Sequence, residues 1–264
     1  MLVVEGLTKR YGKKLAADRV SFQVGRGEIV GLLGKNGAGK TTTFRMTVGV
    51  IAADGGKVML DGVDVTRYPM YKRARMGIGY LPQDSSVFRG LTVEQNLLAI
   101  LEVVEKDRKA RKTRAKELLG ELGIERLAKR MSANLSGGER RRLEIARALV
   151  SKPKILLLDE PFTGIDPIAV GDVKDLVVGL VKRDISILIT DHNVRDTLSI
   201  TDRAYILEDG EILAAGTPKE LVENARVRES YFGEGVEASL SEEIDRWRKK
   251  RSDSEDAPVV REGS

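Results

Sequence analysis

The sequence contains no cysteine and a single histidine, His192. Disulfide bridges and thiolate metal sites are therefore excluded, and so is a metal site built from several histidines. Long apolar runs are missing as well: stretches such as 155–158 have the length of a buried strand, far below the roughly 20 residues that cross a bilayer. The N-terminal segment lacks the basic region and apolar stretch of a signal peptide. We therefore expect a cytoplasmic protein, or one that is attached to a membrane through a partner.

The composition suits a soluble globular chain. The 264 residues are 41% hydrophobic and 32% charged, enough for one large domain or two small ones. The net charge of +5 is compatible with a nucleic-acid or anionic membrane surface. However, the basic residues are scattered, and those in 106–116 fall mostly on a predicted exposed helix. No nucleic-acid partner is expected on the basis of charge.

Strand and helix patterns alternate along most of the chain, which predicts an α/β fold with a mostly parallel sheet. The segment 91–130 differs, because its Leu, Glu, Lys and Arg residues follow helical spacing with almost no strand pattern. It is predicted to be a helical subdomain inserted into the core. Strands are predicted at 2–5, 21–24, 28–33, 57–60, 77–81, 155–158 and 185–190, with a hairpin at 204–208 and 211–214; helices are predicted at 41–50, 138–149, 170–182 and 217–222.

The composition changes after Gly235. Ser239 and Glu242 have the spacing of a capping box, which predicts a short helix that extends through Trp247. Residues 252–264 are polar and charged, and they are predicted to be disordered.

Residues 34–41 match the pattern G-x-x-x-x-G-K-[ST] between a predicted strand and a predicted helix. Glycines allow backbone N–H groups to close around phosphate oxygens, and the helix directs its positive end at the same phosphates. Lys40 is expected to reach the β- and γ-phosphates, and the Thr41 hydroxyl to hold Mg²⁺. A glycine turn that merely precedes Lys-Thr is the alternative, which the flanking elements disfavour. The predicted nucleotide-binding residues of this loop are Gly34, Asn36, Gly37, Ala38, Gly39, Lys40, Thr41 and Thr42.

Two carboxylates follow the apolar run 155–158 at the end of a predicted buried strand. In open α/β sheets, ligands bind at the carboxyl ends of the strands. Asp159 is therefore predicted to support Mg²⁺, directly or through water, and Glu160 to orient and deprotonate the attacking water. Because buried strands often end in acidic residues, this pattern alone is weak evidence for a site. Together with the predicted phosphate loop it is strong evidence.

A second anion-binding helix start is predicted at Ser136, Gly137 and Gly138, which open the helix after Leu135. Taken alone, Ser-Gly-Gly is better explained as an ordinary serine cap. A second phosphate-binding helix start in one small domain makes sense if it covers the ATP that another subunit holds.

The three motifs, in this order, resemble the ATPase family of ABC transporters across residues 2–233. The resemblance implies a P-loop ATPase core with a mostly parallel sheet, an antiparallel β subdomain and a helical subdomain inserted at about 89–150. It places the nucleotide-binding domain at 1–235, followed by a tail at 236–264. It also implies ATP and Mg²⁺ as cofactors, a homodimer that closes around two ATP molecules, and integral membrane permease subunits as partners.

Further site residues come from the resemblance, position by position. Tyr11 is similar to the aromatic residue that stacks on adenine. Gln83 is similar to the glutamine that contacts Mg²⁺ and water and senses the membrane partner. Asp166 lies in the loop that meets the opposite subunit, and His192 corresponds to the histidine that contacts the γ-phosphate. Each of these residues alone would be interpreted as structural or surface-exposed.

The similarity to the ABC ATPases that power lipopolysaccharide export extends beyond the shared motifs; it covers 75–83, 87–89, 136–149, 189–195 and 231–234, several of which lie outside the nucleotide site. This similarity implies a peripheral protein on the cytoplasmic face of the inner membrane. Phe88 is predicted to anchor a partner's coupling helix, since buried aromatics are common interface anchors; packing inside the helical subdomain is the alternative.

Three other functions stay open at this point. The chain could serve another ABC transporter, such as a branched-chain amino-acid importer. It could be a soluble ABC ATPase that acts on ribosomes or nucleic acid, although such proteins usually carry two cassettes or a long coiled-coil insertion. It could also be a nucleotide sensor without enzymatic activity, which Glu160 and His192 argue against.

Overall fold

The computed structural model of the protein describes residues 1–232 and 237–253. The strands are β1 Leu2–Tyr11, β2 Lys14–Val24, β3 Ile29–Gly34, β4 Gly55–Leu60, β5 Val63–Asp64, β6 Ile78–Leu81, β7 Ile155–Asp159, β8 Ser186–Thr190, β9 Arg203–Glu208 and β10 Glu211–Gly216. The helices are α1 Lys40–Val48, α2 Met70–Arg75, α3 Val93–Val104, α4 Arg108–Glu121, α5 Gly137–Leu149, α6 Pro167–Val181, α7 Val194–Leu198, α8 Pro218–Glu223, α9 Ala225–Val227 and α10 Glu237–Asp253.

A six-stranded sheet in the order β10-β9-β3-β8-β7-β6 forms the centre of the fold. Its neighbouring strands are parallel except for the β9–β10 hairpin. Every residue of β3, β7 and β8 is buried, as expected of parallel strands that are covered on both faces. The predicted mostly parallel sheet is confirmed. Its carboxyl edge brings together the segments that follow β3, β7 and β8.

A second sheet, in the order β2-β1-β4-β5, is entirely antiparallel. It shares a hydrophobic core with α1, in which Leu2, Leu7 and Phe44 are fully buried. This sheet confirms the predicted antiparallel β subdomain. However, both strands are longer than predicted, because β1 continues past residue 5 and β2 begins before residue 21. The missed parts do not alternate regularly between buried and exposed residues, and the pairing of the two strands contains register shifts that hide the apolar period.

The chain between β6 and β7 consists mainly of α3, α4 and α5, with short 3₁₀ turns at Glu125–Leu127 and Ser132–Asn134. Leucines of all three helices join one core, among them Leu97, Leu118 and Leu143. The expected helical spacing is therefore present, but the helix breaks between α3 and α4. Asp107 caps the new helix, because its carboxylate accepts hydrogen bonds from the N–H groups of Lys109 and Ala110.

The predicted start of the C-terminal helix is wrong. α10 extends over Glu237–Asp253, so Ser239 lies inside the helix and is not its N-cap. Ser252 and Asp253, which were predicted to be disordered, belong to this helix. The helix is stabilised by tertiary contacts that a local capping pattern does not reveal. The predictions for residues 233–234 and 254–264 lie outside the described residues. Within 1–232 and 237–253, no helix has the length and apolar composition needed to span a bilayer.

Candidate nucleotide-binding site

A cavity of about 580 Å³ opens at the carboxyl edge of the parallel sheet. Most of the residues that the sequence assigned to the nucleotide meet there, although they come from five separate parts of the chain. Three predicted residues are not part of the lining: Ala38 and Asp159 are adjacent to lining residues in sequence, and Gly34 lies two positions before Asn36. The lining residues are Tyr11, Lys14, Ala16, Asn36, Gly37, Gly39, Lys40, Thr41, Thr42, Gln83, Glu160 and His192.

The loop between β3 and α1 forms one wall of this cavity. Gly39 has a φ of 100°, and a Cβ added there would lie 2.3 Å from the Ala16 carbonyl oxygen, so the position requires glycine. The Lys40 ammonium spans the loop and donates to the carbonyls of Gly34 at 2.6 Å and Lys35 at 3.0 Å. Burial lowers the pKa of Lys40, although the carboxylates of the site oppose this shift. The loop therefore holds a largely desolvated cation, for which a phosphate is a suitable partner.

Asp159, at the end of β7, is buried next to this loop. Its Oδ2 accepts a hydrogen bond from the Tyr80 hydroxyl at 3.3 Å, whereas its Oδ1 has no hydrogen-bond partner among the described residues. Burial raises the pKa of Asp159 and also raises the pKa of Tyr80 to about 12. A buried carboxylate oxygen without a partner is costly and calls for an explanation, such as a bound cation.

Glu160 follows directly and has a left-handed backbone, with φ 48°. Its N–H donates to the Thr190 carbonyl at 2.8 Å, which fixes this strained turn to β8. The carboxylate oxygen Oε2 accepts hydrogen bonds from Gln83 Nε2 at 2.8 Å and from Thr163 Oγ1 at 3.1 Å. His192 Nδ1 lies 3.5 Å from the same oxygen. Three side chains thus converge on the predicted catalytic carboxylate.

Asp191 holds the loop that carries His192. Its buried carboxylate accepts hydrogen bonds from the N–H of Phe162 at 3.2 Å and the N–H of Asn193 at 2.9 Å. Burial raises the pKa of Asp191, while these backbone hydrogen bonds oppose the shift. His192 Nδ1 is 3.3 Å from Asp191 Oδ1. Asp191 therefore connects the segment after β7 with the segment after β8.

Arg141 of α5 supports the same region from behind. The guanidinium is buried and donates to the backbone carbonyls of Glu160 at 2.8 Å and Pro161 at 2.9 Å. It is paired with the buried Glu144 at 2.9 Å, and Glu144 accepts a hydrogen bond from Ser85 at 2.6 Å. A network of charge-assisted hydrogen bonds thus joins α5, the backbone of Glu160 and the loop after Gln83.

The structure does not bring every predicted residue to this cavity. Ser136, Gly137, Gly138 and Asp166 are absent from its lining. Ser136 caps α5 in a capping box with Glu139, and Asp166 caps α6 through the N–H of Ala169. A Cβ added at Gly138 would lie 2.9 Å from the Cβ of Ala169. The two helix starts therefore pack against each other, away from the phosphate loop of the same chain.

Phe88 lies outside the cavity, in the segment before α3. Its side chain is 48% exposed and stacks on the Arg147 guanidinium, 4.6 Å from the ring centroid. The Phe88 backbone is held by Asn96, which accepts from its N–H at 2.9 Å and donates to its carbonyl at 3.1 Å. The aromatic ring is thus presented to solvent by a fixed backbone.

The sequence interpretation missed several residues of the site. Lys14 and Ala16 line the cavity because the start of β2 passes over the phosphate loop. Thr163, Asp191 and Arg141 hold the catalytic segments by contacts between separate parts of the chain. The only local signal for Asp191 is its place beside His192 at the end of an apolar strand.

The fold and the cavity define a class of protein: a P-loop nucleotide-binding protein whose phosphate loop faces carboxylates at the ends of neighbouring parallel strands. Residues 17–163 match the model of the ABC transporter family. The chain is 56% identical over 233 residues to a probable ABC transporter ATP-binding protein of Azorhizobium caulinodans. The aligned residues make up 88% of this chain and 83% of that protein. It belongs to the ABC transporter family as an ATP-binding subunit, and it is an ATPase.

Other comparisons agree with this assignment. The chain is 50% identical over 236 residues to the lipopolysaccharide export system ATP-binding protein LptB of Haemophilus influenzae, over 89% of this chain and 98% of that protein. A nucleotide-free ATP-binding cassette from an ABC transporter superposes with a TM-score of 0.81 at 29% identity, over 89% of this chain and 99% of the other. A dimeric bacterial ABC transporter cassette superposes with a TM-score of 0.74 at 25% identity, over 83% of this chain and 99% of the other.

Proposed function

We propose that this chain is the ATPase subunit of an ABC transporter that moves lipopolysaccharide out of the inner membrane, working from its cytoplasmic face. The observation that carries this proposal is the identity with LptB of Haemophilus influenzae over almost the whole length of that protein. Residues 1–235 would form the nucleotide-binding domain, with the helical subdomain inserted at about 89–150, and residues 236–264 would form a tail.

ATP would bind with its phosphates in the loop between β3 and α1, where the Lys40 ammonium already bridges two carbonyls. Tyr11, half exposed at the end of β1, is placed at the rim of the cavity to contact adenine. The donors present fit Mg²⁺, because this ion prefers oxygen ligands and Asp159 Oδ1 is buried without a partner among the described residues. Thr41, Gln83 and Asp159 would hold the ion, which would neutralise phosphate charge.

Glu160 would accept the proton of the attacking water. Its Oε2 lies between Gln83 and Thr163, whose hydrogen bonds orient the carboxylate toward the cavity. His192, at 3.5 Å from the same oxygen, would contact the γ-phosphate. Because Gln83 touches Glu160 directly, a movement of the Gln83 loop would change the geometry of the base.

The ATP site is proposed to be completed by a second copy of the chain. Ser136, Gly137 and Gly138 point to this arrangement because they open α5 as an anion-binding helix start and yet do not line their own cavity. In a head-to-tail pair, these residues and Asp166 of one copy would meet the phosphates in the other. Hydrolysis would then remove contacts across the interface and weaken the closed dimer.

A membrane partner is proposed to dock on the helical side of the molecule. A groove of about 770 Å³ lies between α2, α3, α4 and the end of α5, and it exposes the apolar side chains of Tyr71, Val103 and Val104. Phe88, in the segment before α3, does not line this groove but adds a half-exposed aromatic ring to the helical subdomain, fixed at its backbone by Asn96. Such a surface suits the apolar face of a short helix from a permease subunit.

The test is co-purification and reconstitution. Phe88→Ala is expected to retain its melting temperature and ATP binding while losing its membrane partner, since truncated interface anchors typically cost roughly 2 kcal/mol or more. Val63→Ala, equally exposed on β5 of the other sheet, is the matched control and should assemble normally. Unfolding of Phe88→Ala would instead show that this ring stabilises the helical subdomain, for example through its contact with Arg147.

Cargo is tested on the wild-type complex in liposomes. ATP-dependent extraction of lipopolysaccharide would support the proposal. A complex that moves branched-chain amino acids and ignores lipopolysaccharide would reject the cargo and leave the ATPase assignment intact.

A further inference from the structure

The C-terminal helix α10 lies on the side of the ATPase core that carries α6, α7 and α8. Leu240 and Ile244 are buried and join a core cluster with Val194 and Leu198 of α7 and Leu221 of α8. These contacts pack α10 against α8. Its link to α7 is made by the side chain of Glu243, which accepts a hydrogen bond from Arg195 of that helix. The short helix α7 begins two residues after His192, so this link reaches the element that follows the histidine.

A buried lysine lies at the centre of the contact. Lys174 of α6 is 3% exposed, and its ammonium donates to Asp196 Oδ1 at 2.6 Å, Ser199 Oγ at 3.1 Å and Glu243 Oε1 at 3.2 Å. A lysine ammonium has three N–H donors. All three N–H donors are therefore used. One bonds to Asp196 of α7, one to Ser199 directly after α7, and one to Glu243 of α10.

Glu243 bridges two cations. Its other oxygen accepts a hydrogen bond from Arg195 Nε of α7 at 2.9 Å. Although burial tends to raise the pKa of Glu243, the hydrogen bond from Arg195 and the charge of Lys174 outweigh it and lower the pKa. The ring of Trp247, one helical turn further along α10, lies 5.7 Å from Lys174 Nζ. The carboxylate of Glu243 thus completes a partly exposed ionic cluster around the buried Lys174.

This cluster is connected to the catalytic loop through hydrogen bonds. Asp196 accepts hydrogen bonds both from the Lys174 ammonium and from the side-chain amide of Asn193. Asn193 caps α7 and donates its N–H to Asp191 Oδ1 at 2.9 Å. His192 lies between these two residues in the chain. The path therefore runs from Glu243 through Lys174, Asp196 and Asn193 to the backbone beside His192.

We propose that Glu243 is a positioning residue for ATP hydrolysis: by completing the shell of Lys174 and pairing with Arg195, it holds α7 and thereby fixes His192 at the catalytic carboxylate. The inference rests on the proposed role of His192. α10 thus acts as a strap from the C-terminal region that keeps the hydrolytic geometry in place. The nucleotide-binding loop itself does not take part in these contacts, so the strap acts on the rate of hydrolysis more than on ATP affinity.

The first measurement is steady-state kinetics of the full chain with the substitution Glu243→Gln. We expect kcat to fall by about 3- to 30-fold, the range typical of coupling through a packed network, while KM and ATP affinity stay within about twofold. Glu242→Gln is the matched control, because it makes the same change on the neighbouring, exposed position of the same helix. Equal kcat values for the two variants would overturn the proposal.

Trp247 provides a direct observation of the strap, since it is the only tryptophan of the sequence. Its emission in Glu243→Gln should shift toward that of an exposed ring, and Glu243→Lys, which places a third cation beside Lys174 and Arg195, should shift it further and lower kcat more. If Glu243→Lys displaces the tryptophan and kcat remains at the wild-type value, α10 does not position the site. A kcat loss accompanied by an equal loss of ATP affinity would also count against the proposal.

A double-mutant cycle separates this inference from the proposed function. If Glu243 acts through His192, the double variant His192→Ala/Glu243→Gln should have the same kcat as His192→Ala alone. If His192→Ala lowers kcat and the double variant lowers it by the product of the two single losses, the inference is rejected. The proposed role of His192 is then unaffected. A His192→Ala variant with the wild-type rate would instead reject the proposed role of His192.

Discussion

At the scale of single residues, Glu160 is held more tightly than a surface carboxylate, because its N–H donates to the Thr190 carbonyl and its side chain accepts two hydrogen bonds. Glu160→Gln keeps the shape of the side chain but removes the proton acceptor. We expect ATP binding to persist and the hydrolysis rate to fall by about 10²–10⁴-fold. Phosphate release and equilibrium ATP binding measure the two effects, with the exposed Glu211→Gln as the control. Near-normal turnover would remove Glu160 from the role of base.

Asp159 illustrates a conflict between stability and function at one residue. Its carboxylate is buried, and Oδ1 lacks a hydrogen-bond partner among the described residues. Asp159→Asn removes the buried charge, so the nucleotide-free protein should gain about 1 kcal/mol of stability while hydrolysis is lost. Thermal melting without Mg²⁺ and nucleotide measures the first effect, and an ATPase assay measures the second. A lower melting temperature would show that the carboxylate stabilises the fold by contacts other than Tyr80.

At the scale of elements, α5 is fastened to the end of β7 by one side chain. Arg141 donates to the carbonyls of Glu160 and Pro161 and pairs with Glu144. Arg141→Lys keeps the charge but cannot reach several acceptors at once, so we expect a loss of about 2 kcal/mol in unfolding free energy. Urea denaturation measures the change, and the exposed Arg126→Lys provides the control. Equal stability of the two variants would mean that this network is dispensable.

At the scale of the whole molecule, the two helix starts that are proposed to bind phosphate face different surroundings, and only the start of α1 lines the cavity. Closure with a second copy would unite them. Ser136→Arg places a bulky cation at the helix start that would meet the partner's ATP. In a Glu160→Gln background, this variant should bind ATP and yet sediment as a monomer, whereas Glu160→Gln alone should form a dimer with ATP. A Ser136→Arg protein that still dimerises with ATP would contradict the head-to-tail arrangement.

Much of the site could be predicted because its parts are continuous in the chain. The phosphate loop lies within residues 34–41, and Asp159 and Glu160 follow the strand that positions them. Strands at 155–158 and 185–190 have apolar runs that mark them as buried. The missed elements lack such a pattern: β5 has two exposed residues, and α2 contains one buried residue, Arg73, held by the carbonyls of Met46 and Thr47.

The sequence by itself determined the family and the chemistry proposed for the site, because the phosphate-loop pattern and the paired carboxylates are residue types at short, fixed spacings. Only the tertiary structure decided which side chains hold that chemistry in place. Arg141 meets the Glu160 carbonyl across 19 positions of the chain, and Lys174 meets Glu243 across 69. Such contacts form when a buried cation finds hydrogen-bond acceptors and when helices pack at a particular register. Neither condition leaves a local pattern, so contacts like that between α10 and α7 appear only in the folded molecule.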